Sequence, residues 1–143
     1  ITAIIMFRYI APSLLFLQDD SQFGFDDSVA FLEKAANDNG WVIPKQYRLD
    51  SSLKKAGYDI MPVSVLELCR PNHAAKILGK DEFRHFSTLM PCRVSVYEKS
   101  DGTVSIARLN TGLMSRLFDP AVAQVMAEAT SEIETILNAV TAD

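Results

Sequence analysis

The C-terminal part of the chain carries an apolar pattern that restricts the folds open to it. Asp119 is placed to cap a helix, and Pro120 suits the first helical position. Apolar residues then recur at helical spacing without a break. A stripe of this length predicts a helix that covers a sheet, because only a broad apolar surface would bury it. Its members are Val122, Val125, Met126, Ala129, Ile133, Ile136, Leu137 and Val140.

The clearest evidence for that sheet is a hairpin. Residues 92–98 and 103–109 alternate between apolar and polar side chains, and Asp101-Gly102 lies between them. Asp-Gly between two such runs is a strong hairpin signal. A further run at residues 63–69 is largely apolar on both faces, which predicts a strand in the interior of the sheet.

Weaker patterns complete the order of elements. Residues 13–18 are predicted as a first strand, and Asp26 is expected to cap a helix that ends before Gly40. Residues 41–49 are predicted as the next strand, which Pro44 would place at a sheet edge or a bulge. A short polar helix or a turn is predicted at residues 51–57, and a short helix at residues 71–78.

This order, strand, helix, four strands, helix, predicts an α+β fold. We expect a mostly antiparallel sheet with the helices packed on one face. The chain has 143 residues, enough for one domain with its own core, which we place at residues 13–143. The net charge of -4 and the scattered basic residues argue against a nucleic-acid partner.

The first dozen residues form a separate hydrophobic segment, residues 1–12. The segment is shorter than the roughly 20 apolar residues that span a bilayer. Arginine and tyrosine favour the interface between lipid and water, so the segment suits the end of a membrane anchor that Pro12 would terminate. The alternative is a first strand or a partly buried arm. The membrane residues would be Ile4, Ile5, Met6, Phe7, Arg8 and Tyr9.

Three segments carry a resemblance to a known family. They are FGFDDSV at residues 23–29, ELCRPNHA at 67–74 and MPCRVSVYE at 90–98. Together they resemble the family called domain of unknown function 302, over about residues 13–138. The resemblance implies a fold like that of the TATA-binding protein and implies no activity. Many bacterial relatives resemble membrane-anchored forms, which implies the periplasmic side of a membrane; the alternative is the cytoplasm.

The two cysteines of the chain are candidates for chemistry. Cys69 and Cys92 could bind copper(I) or zinc, with His73 or Met90 completing the ligand shell. They could instead form a disulfide, if their α-carbons lie within about 7 Å, or remain buried free thiols. We expect them to lie close together, because both sit where strand and helix ends should meet.

Two further chemistries remain open for the same residues. Cys69 lies just before a predicted helix, where a thiolate could act as a nucleophile with His73 or His85 as its base. Haem could use His73, His85 or Met90 as axial ligands, although no attachment motif is present. Otherwise His73 is a surface helix residue. The sequence specifies neither a reaction nor a cofactor.

A possible partner surface follows the hairpin. Arg108 falls on the strand face of Val104 and Ile106, so we expect it to reach the sheet rim or to pair with Glu67 or Glu98. The segment after it carries apolar side chains that suit a partner or a ligand cleft; the alternative is a satellite of the core under the last helix. The candidate residues are Arg108, Asn110, Leu113, Met114, Arg116 and Phe118.

These features predict a noncatalytic binding or accessory module at the outer face of a bacterial membrane. Its partner would be a membrane protein complex or a second copy of the chain, with membrane contact through the N-terminal segment. The principal alternative is a redox, metal-handling or haem-handling protein that uses Cys69 and Cys92.

Overall fold

The computed structural model describes residues 2–142, in which helices pack on a five-stranded sheet. The α-helices are α1 (Thr2–Leu15), α2 (Phe25–Asp38), α3 (Leu49–Lys55), α4 (Pro71–Leu78), α5 (Thr111–Met114) and α6 (Pro120–Leu137). The strands are β1 (Phe16–Asp20), β2 (Gln46–Arg48), β3 (Val63–Leu68), β4 (Cys92–Glu98) and β5 (Val104–Leu109). Two 3₁₀ segments, Asp81–Leu89 and Ser115–Leu117, complete the described chain.

The sheet is antiparallel throughout, with the strand order β1-β5-β4-β3-β2. The predicted α+β class is therefore confirmed. The hairpin of β4 and β5 turns through Gly102, whose φ is 85°. The third strand lies inside the sheet as predicted, and the strand that follows Pro44 lies at its edge.

The core fills the space between the sheet and helices α2 and α6. Leu66, Val94 and Ile106 contribute from neighbouring strands of one sheet face. The predicted stripe of α6 is largely buried, with Met126 partly exposed. Its buried members are Val122, Val125, Ala129, Ile133, Ile136 and Leu137. A smaller cluster lies beside this core, around Ile77 and Val125.

The N-terminal segment differs from the prediction in two ways. Residues 13–15 continue α1, so the first strand begins at Phe16, and Pro12 lies inside the helix instead of ending it. The end of α1 is held by Asn110, whose backbone N–H donates to the Leu15 carbonyl at 2.7 Å and whose Nδ2 donates to that of Leu14 at 3.0 Å. This distant residue satisfies carbonyls that a helix end leaves free.

Two smaller boundaries also differ. The strand expected at residues 41–49 is reduced to β2, because Pro44 has no N–H to donate and interrupts the ladder. Ahead of it Val42 pairs only locally with Cys69. In α2 the capping position belongs to Gly24, one residue before the helix, and Asp26 lies in the first turn.

None of the helices in residues 2–142 is both long enough and apolar enough to cross a bilayer.

Candidate functional site

A cavity of about 200 Å³ lies between α6 and the core face of the sheet. Its walls also include α4 and the 3₁₀ segment Asp81–Leu89. Most of the lining side chains are apolar, among them Ile77, Val125 and Ile133. The four residues proposed as metal ligands all contribute to this lining: Cys69, Cys92, His73 and Met90.

The two thiols lie at one end of the cavity. Cys92 begins β4 opposite Leu68, so Cys69 follows the residue that faces it across the ladder. Both cysteines are free and partly buried. Burial raises the pKa of the Cys92 thiol, and the neighbouring Cys69 raises it further. Because a raised pKa keeps the thiol protonated, Cys92 is a poor nucleophile at neutral pH.

Glu132 of α6 is the centre of a polar cluster beside the thiols. Its carboxylate accepts hydrogen bonds from Trp41 Nε1 at 2.9 Å, from Arg70 Nη1 and from His73 Nε2 at 3.1 Å. Burial raises the pKa of Glu132, but the hydrogen bonds from His73, Arg70 and Trp41 outweigh this and lower it. The carboxylate is therefore ionised and accepts from all three side chains.

His73 is buried and is not the surface residue that was expected. It is 7% exposed, because the start of α4 at Pro71 turns its ring toward α6. An ionised carboxylate only accepts hydrogen bonds, so Nε2 of the ring carries a proton and donates it to Glu132. Among the described residues, Nδ1 of His73 is a buried side-chain atom without a hydrogen-bond partner.

Arg108 lines the cavity on β5 and pairs differently from the prediction. Its guanidinium donates to Glu134 through Nε at 2.8 Å and through Nη2 at 2.7 Å, and it also pairs with Asp19. The prediction that Arg108 pairs with Glu67 or Glu98 is wrong, because α6 covers the sheet face of Arg108 and supplies the carboxylate of Glu134. Burial opposes the charge, but Glu134 and Asp19 raise the pKa of Arg108 overall.

The other candidates for a partner surface are divided by the fold. Asn110 accepts a hydrogen bond from the Leu113 N–H at 3.1 Å and so caps α5. Phe118 packs on Phe86, with ring centroids 4.8 Å apart, in the smaller apolar cluster. Met114 is partly buried, while Leu113 and Arg116 are exposed.

The predicted metal ligands line one cavity but do not form a metal-binding cluster in the described part of the chain. Within residues 2–142 no group of three or more His, Cys, Asp or Glu side chains could hold a metal ion. His85 stacks on Phe86 at a centroid distance of 4.3 Å and does not line the cavity. A nucleophile–base pair that includes His85 is therefore not brought together at this site.

Several lining residues were not predicted as site residues from the sequence. Arg70 and Arg93 each follow one of the cysteines, and Trp41 closes the wall beside His73. The repeated Cys-Arg pair was the available signal for the arginines. Glu134 had no such signal, because its role depends on which helix covers β5.

The comparisons with known proteins identify the family. The family described as "Domain of unknown function DUF302" matches residues 18–140. The chain belongs to this family. It is also similar to a crystal structure of an uncharacterized conserved DUF302 protein from Bacillus stearothermophilus, with a TM-score of 0.79 and 23% identity, covering 88% of this chain and 98% of that chain. No curated protein matches the chain.

The family resemblance from the three sequence segments is thus confirmed. At this level of identity the DUF302 crystal structure shows a shared fold and carries no information about activity. The likeness to the TATA-binding protein and the membrane-anchored type stay predictions. Helix α1 precedes the part of the chain that the family matches.

Proposed function

We propose that this DUF302 protein is a noncatalytic binding module that takes a small apolar molecule into the cavity under α6. The observation that carries the proposal is the cavity of about 200 Å³ itself. Protein interiors are close-packed, and an apolar cavity of roughly 150 Å³ is large enough to bind benzene. A space of this size beside a well-packed core suits a ligand.

The polar groups around the cavity support binding in preference to catalysis. The raised pKa of Cys92 disfavours its thiolate, which is the reactive form. The Nε2 atom of His73 is engaged by Glu132, and its Nδ1 atom makes no hydrogen bond to either thiol. The carboxylate of Glu134 is likewise occupied by Arg108.

The proposal extends to a membrane surface, where the protein would serve as an accessory subunit. Helix α1 exposes apolar side chains around its circumference, including Phe7, which is 75% exposed. An exposed apolar helix with Arg8 and Tyr9 suits the boundary between headgroups and acyl chains. We place the protein on the periplasmic side of a bacterial membrane, bound to a membrane protein complex or to a second copy of itself.

Toluene provides a direct test of the cavity. We expect it to raise the melting temperature and to shift the NMR signals of α6 in the wild-type protein, because a ligand that binds the folded state stabilises it. Ala129 lines the cavity, so Ala129→Leu places a larger side chain in the ligand space and should abolish both effects. Ala127→Leu makes the same change on the exposed face of α6 and should preserve them. If toluene changes neither the melting temperature nor the NMR signals of the wild-type protein, the binding function is refuted.

Vesicle flotation tests the membrane role. The full chain should float with phospholipid vesicles and resist extraction by salt, whereas an Ile4→Ser, Phe7→Ser double variant should remain in the dense fraction. Leu117→Ser is the control, since Leu117 is 85% exposed but belongs to the 3₁₀ segment Ser115–Leu117 and not to α1. Release of the wild-type chain by salt alone, with no companion chains in detergent extracts, would contradict the accessory role.

A redox or metal-handling role is the second candidate. The observation that favours it is the pair of free thiols in one cavity, close enough for Cys69 to affect the pKa of Cys92. Metal analysis of protein purified without chelator separates the two functions. Stoichiometric metal or haem that disappears in both Cys69→Ser and Cys92→Ser would support this second role, and its absence from the wild type would exclude the metal-handling and haem-handling forms of it.

A further inference from the structure

His73 carries a hydrogen-bond acceptor that the described protein does not use. Its Nε2 atom donates to Glu132 at 3.1 Å, so in the neutral ring the lone pair of Nδ1 is free to accept. Nδ1 is buried and has no hydrogen-bond partner within the described residues. Because buried polar groups are nearly always paired, an unpartnered acceptor here indicates a donor that comes from outside the chain.

The ring of His73 belongs to the wall of the cavity under α6. The residue is 7% exposed, and its ring is held from two sides. Glu132 accepts from Nε2, and the Trp41 ring lies with its centroid 6.0 Å away. The wall therefore offers a ligand an imidazole in a fixed orientation with one acceptor unoccupied.

Other polar side chains of the wall have partners within the protein. The hydroxyls of Thr111 and Thr130 lie 2.7 Å apart and hydrogen-bond to each other. Glu134 accepts from Arg108 at 2.8 Å and 2.7 Å. In contrast to these groups, Nδ1 of His73 has a hydrogen bond left to make.

The charges beside the cavity are also paired. Glu134 is the single acidic residue among the described lining residues, and Arg108 neutralises it while also pairing with Asp19. Arg70 donates to Glu132. Neither a free carboxylate nor a free guanidinium is therefore offered to a ligand by these groups.

Arg93 does not change this balance, because its side chain leaves the cavity. Cys92 and Val94 pack in the core, and successive side chains of a strand point to opposite faces of the sheet. Arg93 lies between them on β4 and reaches Glu67 on the other face at 3.4 Å. A charged ligand would thus be buried in an apolar cavity without a counter-charge, which is costly.

We propose that the cavity binds a small neutral phenol whose hydroxyl group donates a hydrogen bond to Nδ1 of His73. The apolar body, about the size of one aromatic ring, would lie among lining residues such as Val125 and Ile133. The hydroxyl group would supply the donor that the acceptor lacks, and the ligand would bring no charge. This inference rests on the proposed binding function and adds the class of ligand.

Nitrogen-15 NMR of the full chain, labelled at histidine, tests the hydrogen bond directly. At about pH 8 an ordinary imidazole and a phenol are both uncharged. Phenol should move the Nδ1 signal of His73 upfield, because that unprotonated nitrogen then accepts a hydrogen bond, whereas toluene should move it far less. The signals of His85 are the internal control, since His85 is exposed and does not line the cavity.

Calorimetric titration with phenol and toluene tests the same contact by affinity, because the two compounds are similar in size and exchange a hydroxyl for a methyl group. His73→Gln keeps an N–H donor for Glu132 and removes the Nδ1 acceptor. It should weaken phenol binding about tenfold and leave toluene binding unchanged, since a buried hydroxyl without an acceptor is costly. His85→Gln makes the same exchange outside the cavity and should leave both affinities unchanged.

The outcomes separate the ligand class from the binding function. If phenol does not move the His73 signal, or if His73→Gln binds phenol as tightly as the wild type does, the phenol assignment is overturned while toluene binding still supports the cavity function. Tighter binding of benzoate or benzylamine than of phenol would also overturn it, because both compounds are charged. If neither toluene nor phenol binds the wild type, both proposals fail.

Discussion

Glu132 shows how a single side chain joins three parts of the fold. Trp41 follows α2, Arg70 and His73 belong to the start of α4, and all three donate to one carboxylate on α6. Trp41 is almost fully buried, so its indole N–H has no water to replace a lost acceptor. The cluster fixes the wall of the cavity at the end where the thiols lie.

Replacing this carboxylate should be costly. In Glu132→Gln the amide offers one acceptor oxygen, which leaves a donor of Trp41 or His73 unsatisfied and removes the charge opposite Arg70. We expect the free energy of unfolding to fall by about 1–3 kcal/mol in urea titrations. Glu128 lies on the same helix, but it is exposed and its long 3.7 Å pair with Lys76 is weak. Glu128→Gln should therefore change the free energy of unfolding by less than about 0.5 kcal/mol. Equal effects would mean that the cluster contributes nothing specific.

Asp50 supplies a prediction about acid stability. Hydrogen bonds from Arg48 lower the pKa of Asp50 from 3.8 to about 2, against the effect of burial. A carboxyl group with a lowered folded pKa stabilises the protein above its unfolded pKa, and this stabilisation is lost as the pH falls through the folded value. The relevant window is therefore about pH 4 down to pH 2.

The comparison of wild type with Asp50→Asn measures this effect. At pH 5 we expect the variant to be less stable by about 0.5–1 kcal/mol, a value reduced for the solvent that reaches the pair. The difference should shrink as the pH falls toward 2 and approach zero below the folded pKa of Asp50, where its carboxyl group is protonated and uncharged. A difference that stays constant across this range would show that charge on Asp50 does not stabilise the fold.

At the scale of elements, local signals were sufficient for the hairpin and for α6. Asp101-Gly102 lies between two alternating runs, and Asp119 caps α6 by accepting from the Ala121 N–H at 2.9 Å. Other elements depend on distant residues and could not be predicted locally. The end of α1 is held by Asn110. The burial of His73 depends on Glu132, which comes 59 positions later.

The candidate site follows the same division. The sequence pointed to Cys69, Cys92, His73 and Met90 as neighbours, and all four line one cavity. The sequence could not reveal that cavity, because its opposite wall is α6. Nor could it assign Arg108 to Glu134, since strand alternation shows which face a residue occupies but not which side chain covers that face.

The hairpin turn offers a stability test at this scale. Gly102 has a φ of 85°, a conformation that a side chain disfavours, although no atom would contact an added Cβ. Gly102→Ala should therefore lower the free energy of unfolding by about 1 kcal/mol through the backbone alone. Gly24→Ala is the control, since its surroundings are equally open and its φ is -66°. Comparable losses in urea titrations of the two variants would rule out the backbone conformation as the cause.

For the molecule as a whole, the two proposed contacts are physically separate. The described residues that line the cavity begin at Trp41, and none belongs to α1. Helix α1 is joined to the rest of the domain chiefly through the end that Asn110 holds and through the start of β1. A ligand under α6 and a lipid surface on α1 therefore share no side chain.

This separation predicts that membrane binding and ligand binding are independent. The dissociation constant for toluene should be the same with and without vesicles, and the fraction of protein that floats should not change with toluene. Thermodynamic linkage requires any coupling to act equally in both directions, so the two measurements check each other. The Ile4→Ser, Phe7→Ser variant should keep its toluene affinity, and Ala129→Leu should keep its vesicle affinity. If toluene instead altered flotation, with a matching change in its own affinity on vesicles, the two sites would be coupled through the Asn110 region.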